Sequence, residues 1–322
     1  MISIVEAPVN SGQPKPDVST GAEMLWKKLA PYVRETDQKN HVVLDIAMSD
    51  DLPRTGTDVP KSMAPMMNVR KNGDDNKKIS NAVLEELSKN SLCLTLGGDH
   101  SFAIGSVYGH SVHASEHGAE VVILWIDAHA DINTPAVSPS GNIHGMPLAF
   151  NAKELVDLMP NKIPGFEWLK HPRINLRNLA YIGLRDVDEG EKAFLKSYNI
   201  KSYYAEDVRA VGIEEAVKDC LAYLNPGPKR SLHLSYDIDA MDPSIAPSTG
   251  TVVPDGLTMT DGIHIMEECK KTGHLDVIDM AEVNPGLGTE DDARITVDTA
   301  TKLLLVGAGL CTKEDMLKRI KN

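Results

Sequence analysis

Cysteine is scarce: the 322 residues hold four, Cys93, Cys220, Cys269 and Cys311, scattered and never spaced as a CxxC pair. That excludes a disulfide framework and a thiolate metal site, and four buried thiols in a reducing compartment are expected. Basic residues are in deficit too, 33 Lys and Arg against 46 Asp and Glu, for a formal net charge of -13. Such a balance opposes binding to nucleic-acid phosphates or anionic membranes and mildly favours a small cationic substrate. No apolar run approaches the roughly 18 residues of a membrane span. The opening MISIVEAPV carries an acid and no basic residue before Lys15, unlike a signal or transit peptide, so a cytoplasmic protein is expected. A Ser/Gly/Pro-rich linker, a low-complexity run, a repeat of fixed period and a Walker loop are all missing, and Gly307 and Gly309 follow no strand in a GxGxxG pattern. One domain spanning residues 1–322 is therefore expected, without nucleotide binding.

What the chain does contain is a series of short β-rich runs: residues 2–8, 41–48, 92–98, 121–127, 179–184, 231–237 and 276–283. Most are apolar without alternation, as strands covered on both faces are. Between them, Ile79, Val83, Leu84 and Leu87 repeat at helical spacing, as do Ile213, Ala216, Val217, Cys220, Leu221 and Leu224. Thr289, followed by Glu290, Asp291 and Asp292, reads as an N-cap opening a long helix through Leu304. The alternation predicts an α/β fold, a mainly parallel, doubly wound sheet flanked by helices, whose ligands gather beyond the carboxyl ends of the strands.

The ionisable residues fit that rule. In WIDAHADINTP, Asp127, His129 and Asp131 stand two apart after an apolar strand, so in extended chain they point to one side. Asp237 and Asp239 repeat the arrangement in YDIDAMDP, and His100 ends a third strand in LGGDHS, where Gly97 and Gly98 are expected to allow a tight turn. Two His and four Asp converging at three strand ends need a cation. Oxygen-rich ligation with imidazole and no thiolate suits manganese before zinc or iron, and six ligands exceed what one ion with an open position uses. Two ions are expected, able to lower the pKa of a shared water toward neutrality. His110, His113 and His117 also share a helix face, but no strand end or carboxylate accompanies them, and they read as solvated.

In GGDHS, DAHAD and SYDIDAMDP the chain resembles the ureohydrolases, and within them the arginases, over nearly its whole length. The resemblance implies two Mn2+ ions, one held by His100, Asp127, Asp131 and Asp237, the other by Asp127, His129, Asp237 and Asp239. It implies hydrolysis of L-arginine to L-ornithine and urea by attack of metal hydroxide on the guanidinium carbon. By the same match His144 would shuttle a proton to the leaving amine and Glu282 would face the guanidinium. Asn133, Ser138 and Ser140 would hold the α-carboxylate, Asp188 the α-ammonium, and Thr251 would line the site; Asp99, Asp186 and Asp242 would be supporting or turn residues. Lys15, Pro16 and Asp17, and the loop TVVPDG, depart from the glycine-rich family pattern. A homo-oligomer is expected. The trimer of animal arginases is a weaker expectation, since Thr312 and Lys313, with Thr260 and Asp261 opposite, stand where a pairing arginine would. Agmatine or another guanidino compound as substrate, a catalytically silent binder, and a single-zinc deacetylase are the competing readings.

Overall fold

The computed structural model describes residues 1–34, 39–46, 66–171 and 173–321. The strands are β1 (Ile2–Ala7), β2 (Lys39–Val43), β3 (Leu92–Gly97), β4 (Glu120–Ile126), β5 (Leu179–Leu184), β6 (Lys201–Tyr204), β7 (Arg230–Asp237) and β8 (Leu275–Ala281). Among the described residues they form one sheet in the order β2-β1-β3-β8-β7-β4-β5-β6, with every pairing parallel. The helices are α1 (Thr20–Arg34), α2 (Val69–Leu87), α3 (Ala103–Glu116), α4 (Pro147–Asn151), α5 (Glu189–Ser197), α6 (Ala205–Val211), α7 (Ile213–Leu224), α8 (Met259–Lys271), α9 (Glu290–Gly307) and α10 (Lys313–Lys321).

The continuous apolar runs are explained by two cores. In β4, Val122, Leu124 and Ile126 enter a core shared with side chains of α1, α7, α8 and α9, while Val121, Ile123 and Trp125 enter another on the opposite face. Both faces of a central strand are thus covered, and period-two alternation disappears from its sequence. Thr289 caps α9 as expected, its side chain accepting the Asp292 N–H.

Some expectations shift. The short strand β6 had no apolar run to mark it, because all its residues are half-buried at a sheet edge. The strand expected over 41–48 runs instead over Lys39–Val43, and residues 47 and 48 lie outside the described ones. Cys93, Cys220 and Cys269 are buried and free, but Cys311 is half-buried. No helix among the described residues is long and apolar enough to cross a membrane.

The strand order positions the site. The chain lays down β1 to β3, jumps to β4 through β6, then returns to fill the gap with β7 and β8. The carboxyl ends of β3, β8, β7 and β4 therefore lie side by side at the point where the winding reverses, which is where open α/β sheets bind ligands.

Candidate metal centre

Each central strand delivers its polar residue at its last paired position or just past it. Ile126 pairs with Tyr236, so Asp127 and Asp237 emerge side by side, and Asp237 in turn pairs with Ala281, just before Glu282. After β3 the chain enters a short 3-10 turn, His100–Phe102, capped by Asp99, whose side chain accepts the Ser101 N–H. The adjoining glycines work differently from the expected turn chemistry. Neither has a positive φ. A Cβ on Gly97 would come within 1.9 Å of the Phe102 ring, and one on Gly98 within 1.8 Å of the Val9 carbonyl oxygen. Close approach, not backbone freedom, requires glycine there.

The six expected ligands come together in two overlapping groups. His100 Nδ1 lies 3.1 Å from one oxygen each of Asp127, Asp131 and Asp237. His129 Nδ1 lies 3.1 Å from Asp239 and 3.3 Å from Asp127. One ring N–H cannot be donated to three carboxylates, and His100 Nδ1 is buried without a hydrogen-bond partner. Donor atoms about 2.0–2.2 Å from a shared cation, at right angles around it, stand about 3 Å from one another, so the spacing fits a metal. The charges agree: burial, then the Asp127 carboxylate, pushes the Asp131 carboxyl up to about 6, and burial with Asp239 and Asp127 raises Asp237 well above the usual range. Packing acids so closely favours bound cations. A third group, His264, Glu267 and Glu268 on α8, is less buried, and the Lys313 ammonium lies 2.8 Å from His264 and 3.5 Å from Glu267.

Neighbouring side chains that the sequence reading did not single out orient these groups. The His100 ring stacks on Trp125 at 4.2 Å and shares a 2.9 Å hydrogen bond between Nε2 and Ser235 Oγ, leaving Nδ1 to face the acids. The Trp125 indole N–H donates to Asp127 at 2.9 Å. Arg185 donates to the carbonyls of Asp239 and Ala240 and to those of Val253 and Pro254. Spacing motifs do not reveal Ser235 and Arg185, because their partners are distant in sequence and, for Arg185, are backbone carbonyls.

A polar cavity of about 230 Å³ opens beside the acids, and His129, Asp131, Asn133, Ser138, Ser140, His144, Asp188 and Thr251 all border it. Thr251 donates to Asp239 at 2.7 Å and Asn133 to Asp188 at 2.9 Å. Ser138 Oγ accepts the Gly141 N–H and Ser140 Oγ the Asn142 N–H, so each hydroxyl keeps its own proton to donate. Glu282 accepts through Oε1 from the His100 N–H at 3.0 Å and pairs with His144 Nδ1 at 2.9 Å; Oε2 is buried and unpartnered. Burial opposes charge on His144, but Glu282 outweighs it and raises the imidazole to about 9. Asp99 supports the site by accepting the Gly12 N–H, Asp186 borders the cavity, and Asp242 closes a turn on Ser244.

His110 corrects an expectation. Far from solvated, it is fully buried, with Nδ1 3.2 Å from His233 and Nε2 2.6 Å from Ser231; His113 is half-buried and only His117 is exposed. Its partners lie on β7, out of reach of any helical-spacing argument.

Relatives share this architecture. A hepatic arginase from Aquarana catesbeiana is 41% identical over 308 residues, 94% of this chain and 91% of the relative, and Arginase-1 from Homo sapiens is 40% identical over 312 residues, 96% and 93%. Among solved structures, an Entamoeba histolytica arginase in complex with L-ornithine superposes with a TM-score of 0.82 at 30% identity, covering 96% of this chain and 97% of that one. An arginase from Bacillus subtilis gives 0.77 at 30%, covering 96% and 98%. The Arginase family model matches residues 1–307, taking in every strand of the sheet and all the residues of the acid-lined crevice. The chain thus belongs to the arginase family of metal-dependent hydrolases.

Proposed function

We propose that this protein hydrolyses L-arginine to L-ornithine and urea at a pair of Mn2+ ions. The observation that carries the reading is a single cavity joining two carboxylate–imidazole groups to side chains suited to an α-amino acid. In this reading His100, Asp127, Asp131 and Asp237 hold one ion, and Asp127, His129, Asp237 and Asp239 the other. Such a pair supplies a water acidic enough to act as a nucleophile near neutral pH.

The chain's own groups bind and orient the substrate. The free hydroxyl protons of Ser138 and Ser140, with the second amide proton of Asn133, receive the α-carboxylate; Asp188 receives the α-ammonium. Glu282 Oε2, lacking any other partner, accepts from a guanidinium N–H. Breaking the carbon–nitrogen bond requires a proton on the departing amine. His144, its positive charge favoured by the Glu282 carboxylate 2.9 Å away, is placed to donate it.

Urea release from manganese-loaded protein tests the reading, with L-arginine preferred over agmatine at equal concentration and two ions counted per chain. An Asn133→Ala variant is expected to raise KM for L-arginine about tenfold, the loss of one hydrogen bond to a charged group, and to leave agmatine unaffected. No turnover of L-arginine overturns the proposal.

We further propose a homo-oligomer working in the cytoplasm. Free, buried Cys93, Cys220 and Cys269 support a reducing setting. Thr312 and Asp261, in the region where a trimer of the animal kind would pair, make capping bonds to Asp315 and Thr258 within their own helix starts. Light scattering gives the copy number, and a monomer mass would dismiss the assembly.

A further inference from the structure

Asp131 differs from the other five expected metal ligands in its backbone conformation, which in this site it shares with Glu282, whose φ is 59°. The φ of Asp131 is 51°, in the left-handed region that side chains other than Asn and Asp seldom enter. The peptides on either side are gripped. The Ala130 carbonyl, just before, accepts from the Tyr181 hydroxyl at 2.7 Å. The Ile132 N–H, just after, donates to Glu191 Oε1 at 3.0 Å, and the carbonyl of Asp131 itself accepts from the Leu148 N–H at 3.1 Å. Tyr181 is wholly buried on β5, beside Trp125 of β4 in the sheet register, and Glu191, in the first turn of α5, is 3% exposed. The second oxygen of Glu191 accepts the Asp188 N–H at 3.1 Å.

A buried carboxylate is costly unless its oxygens are satisfied. Here both oxygens are spent on backbone N–H groups, one next to a metal-facing acid and the other at the residue proposed to meet the substrate ammonium. Helix capping accounts for the second contact only. The first reaches 59 residues back along the chain to the loop after β4.

We propose that Tyr181 and Glu191 are positioning residues: together they hold Asp131 in the turn that aims its carboxylate at His100 Nδ1, and Glu191 extends the same constraint to Asp188. The Asp188 half rests on the L-arginine reading; the Asp131 half does not need a substrate.

The test uses the full chain stripped by chelator and titrated with Mn2+, the free ion being read by its electron paramagnetic resonance signal. Tyr181→Phe removes one oxygen. Glu191→Gln keeps the size but sets an amide donor against one of the two N–H groups. Both are expected to weaken manganese binding about 10- to 100-fold, as loss of a group that orients a ligand does. At saturating manganese, Tyr181→Phe should keep KM for L-arginine within about twofold, whereas Glu191→Gln should raise it about fivefold or more, each on the scale of a single hydrogen bond. Thr289→Ala, which uncaps α9, serves as the control that lowers the melting temperature without moving metal affinity. Wild-type manganese affinity in both folded variants overturns the clamp, and equal KM shifts in the two overturn the link to Asp188. Wild-type protein that takes up manganese but releases no urea sinks the L-arginine reading instead, and the titration still decides the Asp131 half.

Discussion

Single residues at this centre are constrained for reasons that differ from one to the next. Gly98 stands where β3 gives way to His100, and its α-carbon faces the backbone of Val9; a methyl there would overlap a carbonyl oxygen that has no room to retreat. Gly98→Ala is therefore expected to cost about 3 kcal/mol or more, the upper end for overpacking, because the obstacle is main chain and not a flexible side chain. Thermal denaturation checks this; a change of under about 1 kcal/mol would show that β3 and the N-terminal segment can part. The acids and imidazoles of the centre were readable in the sequence, since an Asp-x-His-x-Asp spacing after an apolar strand leaves few other meanings. Tyr181, Glu191 and Arg185 were not, because each acts on backbone atoms that no motif records.

Among elements, legibility followed burial. β4 and β7 were plain from their apolar runs, whereas β6, at the edge and half-buried throughout, carried too little hydrophobic signal. His110 was misjudged on α3 for a related reason: helical spacing groups it with His113 and His117, but the face it occupies packs on β7. The loops after β7 were visible only as motifs, and Arg185 joins them at several points, beside the Thr251–Asp239 hydrogen bond and the Met241–Leu257 bridge. Its planar fork donates to carbonyls in both the 239–241 and 253–254 segments, so one side chain ties the loop bearing Asp239 to the loop following Thr251. Lysine offers three donors from a single point and cannot span both. Arg185→Lys is expected to destabilise by about 2–4 kcal/mol, since several carbonyls lose a charged donor, and to speed hydrogen exchange in residues 237–256 ahead of the rest. Exchange accelerating evenly over the whole sheet would contradict the tie.

Over the whole molecule, the two strands that complete the sheet do two jobs. β7 and β8 present Asp237 and Glu282 at one rim, and farther back along the same strands they enclose a string of polar groups. His233 Nε2 meets Asp279 at 2.8 Å, His110 bridges His233 and Ser231, and Ser231 donates to Asp276. Burial, reinforced by His233 and His113, holds the pKa of His110 well below the ordinary histidine value. The sign of the pH effect follows. In the unfolded chain His110 takes up a proton near pH 6.5; in the fold it resists, so between that value and its lower folded pKa the unfolded state binds more protons. Stability from this site is complete above about pH 6.5 and is lost as pH falls toward the folded pKa. His110→Gln, which keeps a polar group between His233 and Ser231, should flatten the decline of melting temperature between about pH 6.5 and 5. The comparison belongs in chelator, where loss of bound metal at low pH acts on neither protein. Parallel slopes for the two would mean that His110 is not the group whose protonation opens the core; the rim carboxylates Asp131 and Asp237, raised by burial, work with the opposite sign and gain stability as pH falls.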